Sequence, residues 1–450
     1  MSGKFGVKYW SNEMKIPRDV YLKKLIAAKG DGYVKVVTGI RRCGKSYLLF
    51  TLFKDHLLSS GVKKSRIVEI ALDSDEFEEQ RDPRKLSAYV REKVRRQKGV
   101  CYVLIDEIQM CEEVPSVVEG AAGKITFYDV LNGLMKLSNV DLYVTGSNSK
   151  MLSDEVATHF RDRGEVIRMH PLTFSEYFKS SGLSEYQAWS HYLVYGGMPE
   201  AVLKRTDAAR RDYLAGLFKT LYFKDIVEHN GLRDDFVLGL LTDVLMSSTG
   251  SLTNPSKMAN TLSTEQGVKP DVHTVQQYLK FLTQAYLFSK AARYDVKGRR
   301  YMQYPSKWYA EDVGLRNARL NYRQSEKTHL MENVIYNELV ARGYNVDVGV
   351  VEVKIATDGG KRETRQYEID FVVNTGFEKL YIQSALELEG EDKREQETFS
   401  LRKTRDSFRK LVVVGGDQPF YTDDDGISFV GVIPFLLDKS ILSGMISIMT

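Results

Sequence analysis

Gly39-Ile40-Arg41-Arg42-Cys43-Gly44-Lys45-Ser46 has the spacing G-x-x-x-x-G-K-[ST], and its residue types suit a triphosphate. The glycines permit backbone angles that other residues resist. Successive amide N–H groups can therefore turn inward around a phosphate at the positive end of a helix. Lys45 would reach the β- and γ-phosphates, and the Ser46 hydroxyl would ligate magnesium. The predicted ATP-binding segment is Gly39, Ile40, Arg41, Arg42, Cys43, Gly44, Lys45, Ser46 and Tyr47, with ATP and Mg2+ as its ligands. Cys43 reads as a small filler of this loop.

Three further groups could complete a hydrolytic site. Asp106-Glu107 closes the apolar run Val100 to Ile105; Asp106 would hold magnesium through water, and Glu107 would polarise the attacking water. The run Asp141 to Thr145 breaks into Gly146-Ser147-Asn148-Ser149, where a polar residue can sense the γ-phosphate. Asn148 is the first choice and Ser147 the second, although such a cluster also makes ordinary turns and N-caps. Arg163, in Phe160-Arg161-Asp162-Arg163-Gly164, could stabilise charge on the transferring phosphoryl group of its own subunit or of a neighbour in a homo-oligomer. A surface salt bridge is its plainer reading.

These groups need strands that end together. Val34 to Thr38 is a β-branched strand entering the loop, and Tyr47 to Leu58 reads as the amphipathic helix leaving it. Val100 to Ile105, Asp141 to Thr145 and Glu165 to Met169 supply three more strands. The whole chain of 450 residues exceeds one ordinary core, so two or three domains are expected. Its 64 Lys+Arg nearly balance 60 Asp+Glu, so the overall charge demands no polyanionic partner. No apolar run approaches a bilayer span, which excludes a membrane partner and leaves a cytoplasmic location as the expectation. Cys43, Cys101 and Cys111 are odd in number and lack metal-ligand spacing, and read as reduced thiols.

Together with His170-Pro171-Leu172-Thr173-Phe174-Ser175-Glu176-Tyr177 and Tyr195-Gly196-Gly197-Met198-Pro199-Glu200, these motifs resemble an archaeal and bacterial family of AAA-type ATPases. The family has a C-terminal region of unknown function, and the resemblance runs from about Arg18 to Leu437. It implies an α/β P-loop NTPase of AAA (ASCE) type, then a winged helix and a restriction-endonuclease-like α/β domain. The expected divisions are an N-terminal segment (1–30), the ATPase domain (31–180), a helical lid (181–230), the winged helix (231–305) and the C-terminal domain (306–450).

In the winged-helix region, Gln276 and Gln277 could read bases, and Lys290, Arg293, Lys297, Arg299 and Arg300 could form a basic wing. Docking of a protein is the alternative. In the C-terminal domain, Glu332 and Asp370 stand at two nuclease positions. Gln383-Ser384-Ala385, however, replaces the E-x-K that such an enzyme needs. Glu332 and Asp370 are expected to pair instead with Arg316, Arg319 or Arg323. The function expected is a magnesium-dependent ATPase switch, slow in isolation, acting on an unknown protein or DNA partner. The rivals are an ATP-regulated binding module without turnover and a metal-dependent nuclease.

Overall fold

Strands buried on both faces are mostly apolar, and the run Val34–Thr38 has every residue buried, including Lys35, whose ammonium is paired with Asp141 at 2.6 Å. It is β1 of a five-stranded parallel sheet with β2 (Ile67–Ala71), β3 (Cys101–Asp106), β4 (Val140–Gly146) and β5 (Gly164–Arg168), in the order β2-β3-β4-β1-β5. The computed structural model describes residues 16–116, 123–147, 160, 163–232, 235–323, 326–356, 362–374 and 378–445. The chain divides into two units, Met1–Pro171 and Leu172–Thr450.

In the first unit α1 (Asp19–Ala27) buries Tyr21 and Leu25. The helix after the loop, α2, runs from 45 to 59, with a π-helical turn over Leu48–Phe53. Helix α3 (Pro83–Arg95) is started by the Asp82 side chain and a proline in its first turn, and α4 (Phe127–Leu134) by a capping box of Thr126 and Asp129. Both send leucines and valines into the core beside β3 and β4. Because β4 stands between β1 and β3, the two motif strands flank the strand that carries Ser147.

In the second unit, α5 (Phe174–Ser181), α6 (Glu185–Tyr195) and α7 (Asp207–Leu217) precede α8 (Phe236–Ser247), α9 (Pro255–Gln266) and α10 (Val272–Gln284). Next come β6 (Phe288–Asp295), β7 (Arg300–Ala310), α11 (Val313–Arg319), α12 (Lys327–Ala341), β8 (Asn345–Ala356), β9 (Arg362–Asn374) and β10 (Lys379–Ala385). Helix α13 (Glu391–Arg402) and strands β11 (Arg409–Val414), β12 (Tyr421–Thr422) and β13 (Ile427–Gly431) complete one eight-stranded sheet, ordered β12-β13-β11-β10-β9-β8-β6-β7.

Three helices and an antiparallel pair are thus present where a winged helix was expected, but the pair is no free wing. Strand β6 also pairs in parallel with β8, setting Arg293 against Val348 and Asp295 against Val350. Arg293 is buried and donates to Gln366 at 3.1 Å, and the Lys297 ammonium donates to the Glu352 carbonyl. Phe288, Ala291, Trp308 and Tyr309 of the hairpin are buried, which a solvated wing would not allow. The expected division at 305/306 falls inside β7.

Candidate active site

In a parallel sheet the carboxyl ends of the strands share one edge, where ligands bind. Thr38, Asp106 and Gly146 end β1, β3 and β4 there. At Gly39 the chain leaves β1 with φ 141°, and a Cβ would lie 2.0 Å from the Met169 carbonyl oxygen, so only glycine fits. Arg42 and Gly44 have φ values of 67° and 103°, and the helix begins at Lys45 with no side chain capping its first amides. Those amides remain for an anion.

The loop residues divide by direction. Ile40, Cys43 and Tyr47 are buried, and the Cys43 thiol lies 3.6 Å from the Met169 carbonyl, within the core. Arg42 is exposed. The Lys45 ammonium donates to the carbonyls of Gly39 at 3.0 Å and Ile40 at 3.2 Å, so it lies over its own loop. Ser46 and Thr145 both give hydroxyl hydrogen bonds to the Asp106 carboxylate. Burial pushes that carboxyl up to about 6, helped by repulsion from Glu107 and Asp73, against the two hydroxyls. A hydroxyl and a carboxylate in contact are the hard oxygen donors that magnesium takes, and a cation would relieve the buried charge.

Glu107 follows in the left-handed region at φ 52°, its N–H donating to Thr145 Oγ1 at 3.0 Å. Its carboxylate accepts the Ser147 hydroxyl at 2.8 and 2.9 Å and the Gln109 side-chain amide. Sequence reasoning missed Thr145, Gln109 and Asp73. Gln109 stands two residues after Glu107, a separation that brings side chains together only once the chain turns. The turn is the 3-10 segment Ile108–Met110.

Two expectations about the phosphates end differently. Asn148 lies outside the described residues. Arg163 is described, and the structure corrects its role within one chain. Its carbonyl accepts the Val34 N–H, so it sits at the start of β1. Gly39 is five residues further on, roughly 16 Å at the usual strand rise, beyond the reach of an arginine side chain. In a parallel sheet every strand starts at the same edge, so the residue before β5 lies at the amino end.

In the second unit Glu332 and Asp370 meet, and their partner is not an arginine. Lys307, buried on β7, reaches Glu332 at 2.7 Å, Glu368 at 2.6 Å and Asp370 at 3.2 Å, while the Tyr309 hydroxyl donates to Glu332 at 2.7 Å. Of the arginines expected there, Arg316 donates to the Met246 carbonyl and Arg319 pairs with Asp243. Gln383 accepts from the Asp370 N–H and donates to Glu397, and Ala385 lies in a hydrophobic core. Sequence reasoning overlooked Lys307 because it lies just past the expected division at 305/306, which cuts β7 and hides the strand that carries it.

Comparison with known proteins agrees with this layout. Residues 31–178 match the AAA domain, and residues 186–326 match a domain of unknown function, DUF8612. An uncharacterized protein of Methanocaldococcus jannaschii is 26% identical over 443 residues, covering 93% of this chain and 90% of that protein. Among solved structures, the Walker-type ATPase of Pyrococcus abyssi is 14% identical with a TM-score of 0.45, covering 68% of this chain and 96% of that one. The ORC2 protein of Aeropyrum pernix, in ADPNP–ADP complexes, is 11% identical with a TM-score of 0.39, covering 74% and 96%. An uncharacterized protein of Haemophilus influenzae is 32% identical over 429 residues, 94% of this chain and 98% of that protein. Alike over almost their whole lengths, the two proteins belong to one family, and in this chain that family carries an AAA-type P-loop ATPase domain.

Proposed function

We propose that the chain binds ATP with magnesium, hydrolyses it, and uses the cycle as a switch on a protein or DNA partner. The observation that carries this reading is the contact of Ser46 with Asp106 beside the phosphate loop, with Glu107 next to it. Bound magnesium would neutralise charge on the β- and γ-phosphates, and Ser46 and Asp106 are the residues that would hold it. The loop amides and Lys45 bind the phosphates. For this the ammonium exchanges the carbonyls of Gly39 and Ile40 for phosphate oxygens. Glu107 orients a water and accepts its proton, and the buried β3–β4 edge keeps these groups in place.

Lys45→Ala removes the phosphate cation and is expected to weaken binding of a fluorescent ATP analogue at least about tenfold, the loss of one charge-assisted contact. Glu107→Gln keeps the shape and removes the proton acceptor, so ATP should bind and turnover should fall about 100-fold or more. Unchanged hydrolysis by Lys45→Ala would refute the reading. ATP binding with no turnover, even with DNA or protein partners added, would leave a nucleotide-regulated binding module.

A further inference from the structure

We propose that Gln109 and Ser147 form a two-point clamp on the Glu107 carboxylate and are positioning residues for ATP hydrolysis. The proposal rests on the reading of Glu107 as the group that takes the proton from water. In that step the water oxygen bonds to the γ-phosphorus and the bond from the bridging oxygen to that phosphorus breaks. ADP leaves with the electron pair, and Glu107 receives the proton before returning it to solvent.

The two donors come from different elements. Ser147 follows the end of β4 and places its hydroxyl 2.8 and 2.9 Å from the two carboxylate oxygens. Gln109 is brought round by the turn after β3, which is fixed by fully buried Ile108 and by the Met110 N–H donating to the Glu107 carbonyl at 2.8 Å. A glutamate in left-handed backbone costs on the order of 1 kcal/mol, and such strain persists where the surroundings over-determine it. Here Thr145 holds the Glu107 N–H and the clamp holds the other end of the residue.

The arrangement serves orientation better than it serves folding. Gln109 turns its donor end to Glu107, while its Oε1 is buried without a hydrogen-bond partner among the described residues. A buried acceptor left unpaired costs about 1–3 kcal/mol, so fold stability alone does not account for this amide. A carboxylate offers about four lone-pair sites. The Ser147 hydroxyl shared between the oxygens and one amide proton occupy at most three, which leaves one to accept a proton from water. Fixing the direction of that site matters because an error of about 1 Å in a reacting group can cost on the order of 100-fold in rate.

Full-length Gln109→Ala, Ser147→Ala, Ser147→Thr and Gln109→Glu proteins, with wild type, test this by steady-state ATPase assay, binding of a fluorescent ATP analogue and thermal melting. In each alanine variant kcat should fall about 10- to 100-fold while KM and analogue affinity stay within about twofold. Ser147→Thr keeps the hydroxyl and should recover most of the rate. Gln109→Glu sets a second carboxylate against Glu107 and should be no faster than Gln109→Ala. Wild-type turnover with unchanged kcat in both alanine variants overturns the clamp and leaves the ATPase reading standing. A rise in kcat also overturns it, since the contacts would then restrain Glu107. A shared loss of melting temperature, affinity and rate assigns them to folding. If wild type binds ATP and never hydrolyses it, the role of Glu107 falls, and the clamp with it.

Discussion

Lys307 gathers three carboxylates around one ammonium in a place from which water is nearly excluded. Burial alone would lower its proton affinity, but Glu332, Asp370 and Glu368 outweigh that and hold it charged. Burial is also the main cause that pushes Glu332 up to about 7, Lys307 opposing it. Removing the cation leaves the acids uncompensated. Lys307→Ala should therefore cost about 3–5 kcal/mol in urea unfolding near neutral pH, the usual range for breaking a buried pair. The cost should shrink at pH 4, where the carboxyls can take protons instead. A loss below about 1 kcal/mol at pH 7, the range of surface pairs, would contradict the buried network.

The turn between α6 and the next helix shows why a motif can be recognised without its reason. Gly196 and Gly197 receive the start of α11: the Gly197 N–H donates to Asp312 at 2.6 Å, and a Cβ on Gly196 would lie 2.2 Å from the same carboxylate. Asp312 also accepts from Leu315 at 2.9 Å as the N-cap of α11. Burial nonetheless pushes its carboxyl up to about 6 from 3.8, the main-chain donors opposing it. A raised folded value favours the protonated form. Its stabilisation is complete below about pH 3.8 and is lost as pH rises through about 6. Asp312→Asn cannot ionise and should lack this part of the pH slope, worth up to about 3 kcal/mol. Urea midpoints from pH 4 to 7 check it, and parallel slopes for the two proteins would contradict it.

The phosphate loop, β1, β3 and β4 could be read in advance because glycine spacing and apolar runs are local signals. Partners such as Gln109 for Glu107, Asp312 for Gly196 and Lys307 for Glu332 depend on turns and strand order, which no single window contains. The distance of Arg163 from the phosphate loop within one chain was hidden for the same reason, since only the strand register shows which edge of the sheet it occupies.

Taken whole, the chain joins an AAA-type P-loop ATPase domain to a second unit in which Lys307 holds Glu332 and Asp370. A phosphodiesterase needs carboxylates free to hold a metal and a cation or base beside the attacking water. Here Lys307 takes up Glu332, Glu368 and Asp370, while Gln383 and Ala385 stand where the E-x-K would be. Plasmid, linear and single-stranded DNA should survive incubation in magnesium or manganese, with or without ATP. Cleavage abolished by Asp370→Ala would overturn this expectation.

The eight-stranded sheet also bears on inheritance. Strands β6 and β7 continue the helical trio α8–α10 in the chain, yet they hydrogen-bond into the sheet built by the last third of the protein. A gene fusion that exchanged only the trio and its hairpin would strip two strands from that sheet and expose the edge of β8, inviting pairing with another chain. Recombination that keeps both products folded would cut near Pro171, where the units divide, and would pass everything beyond it to descendants as one piece.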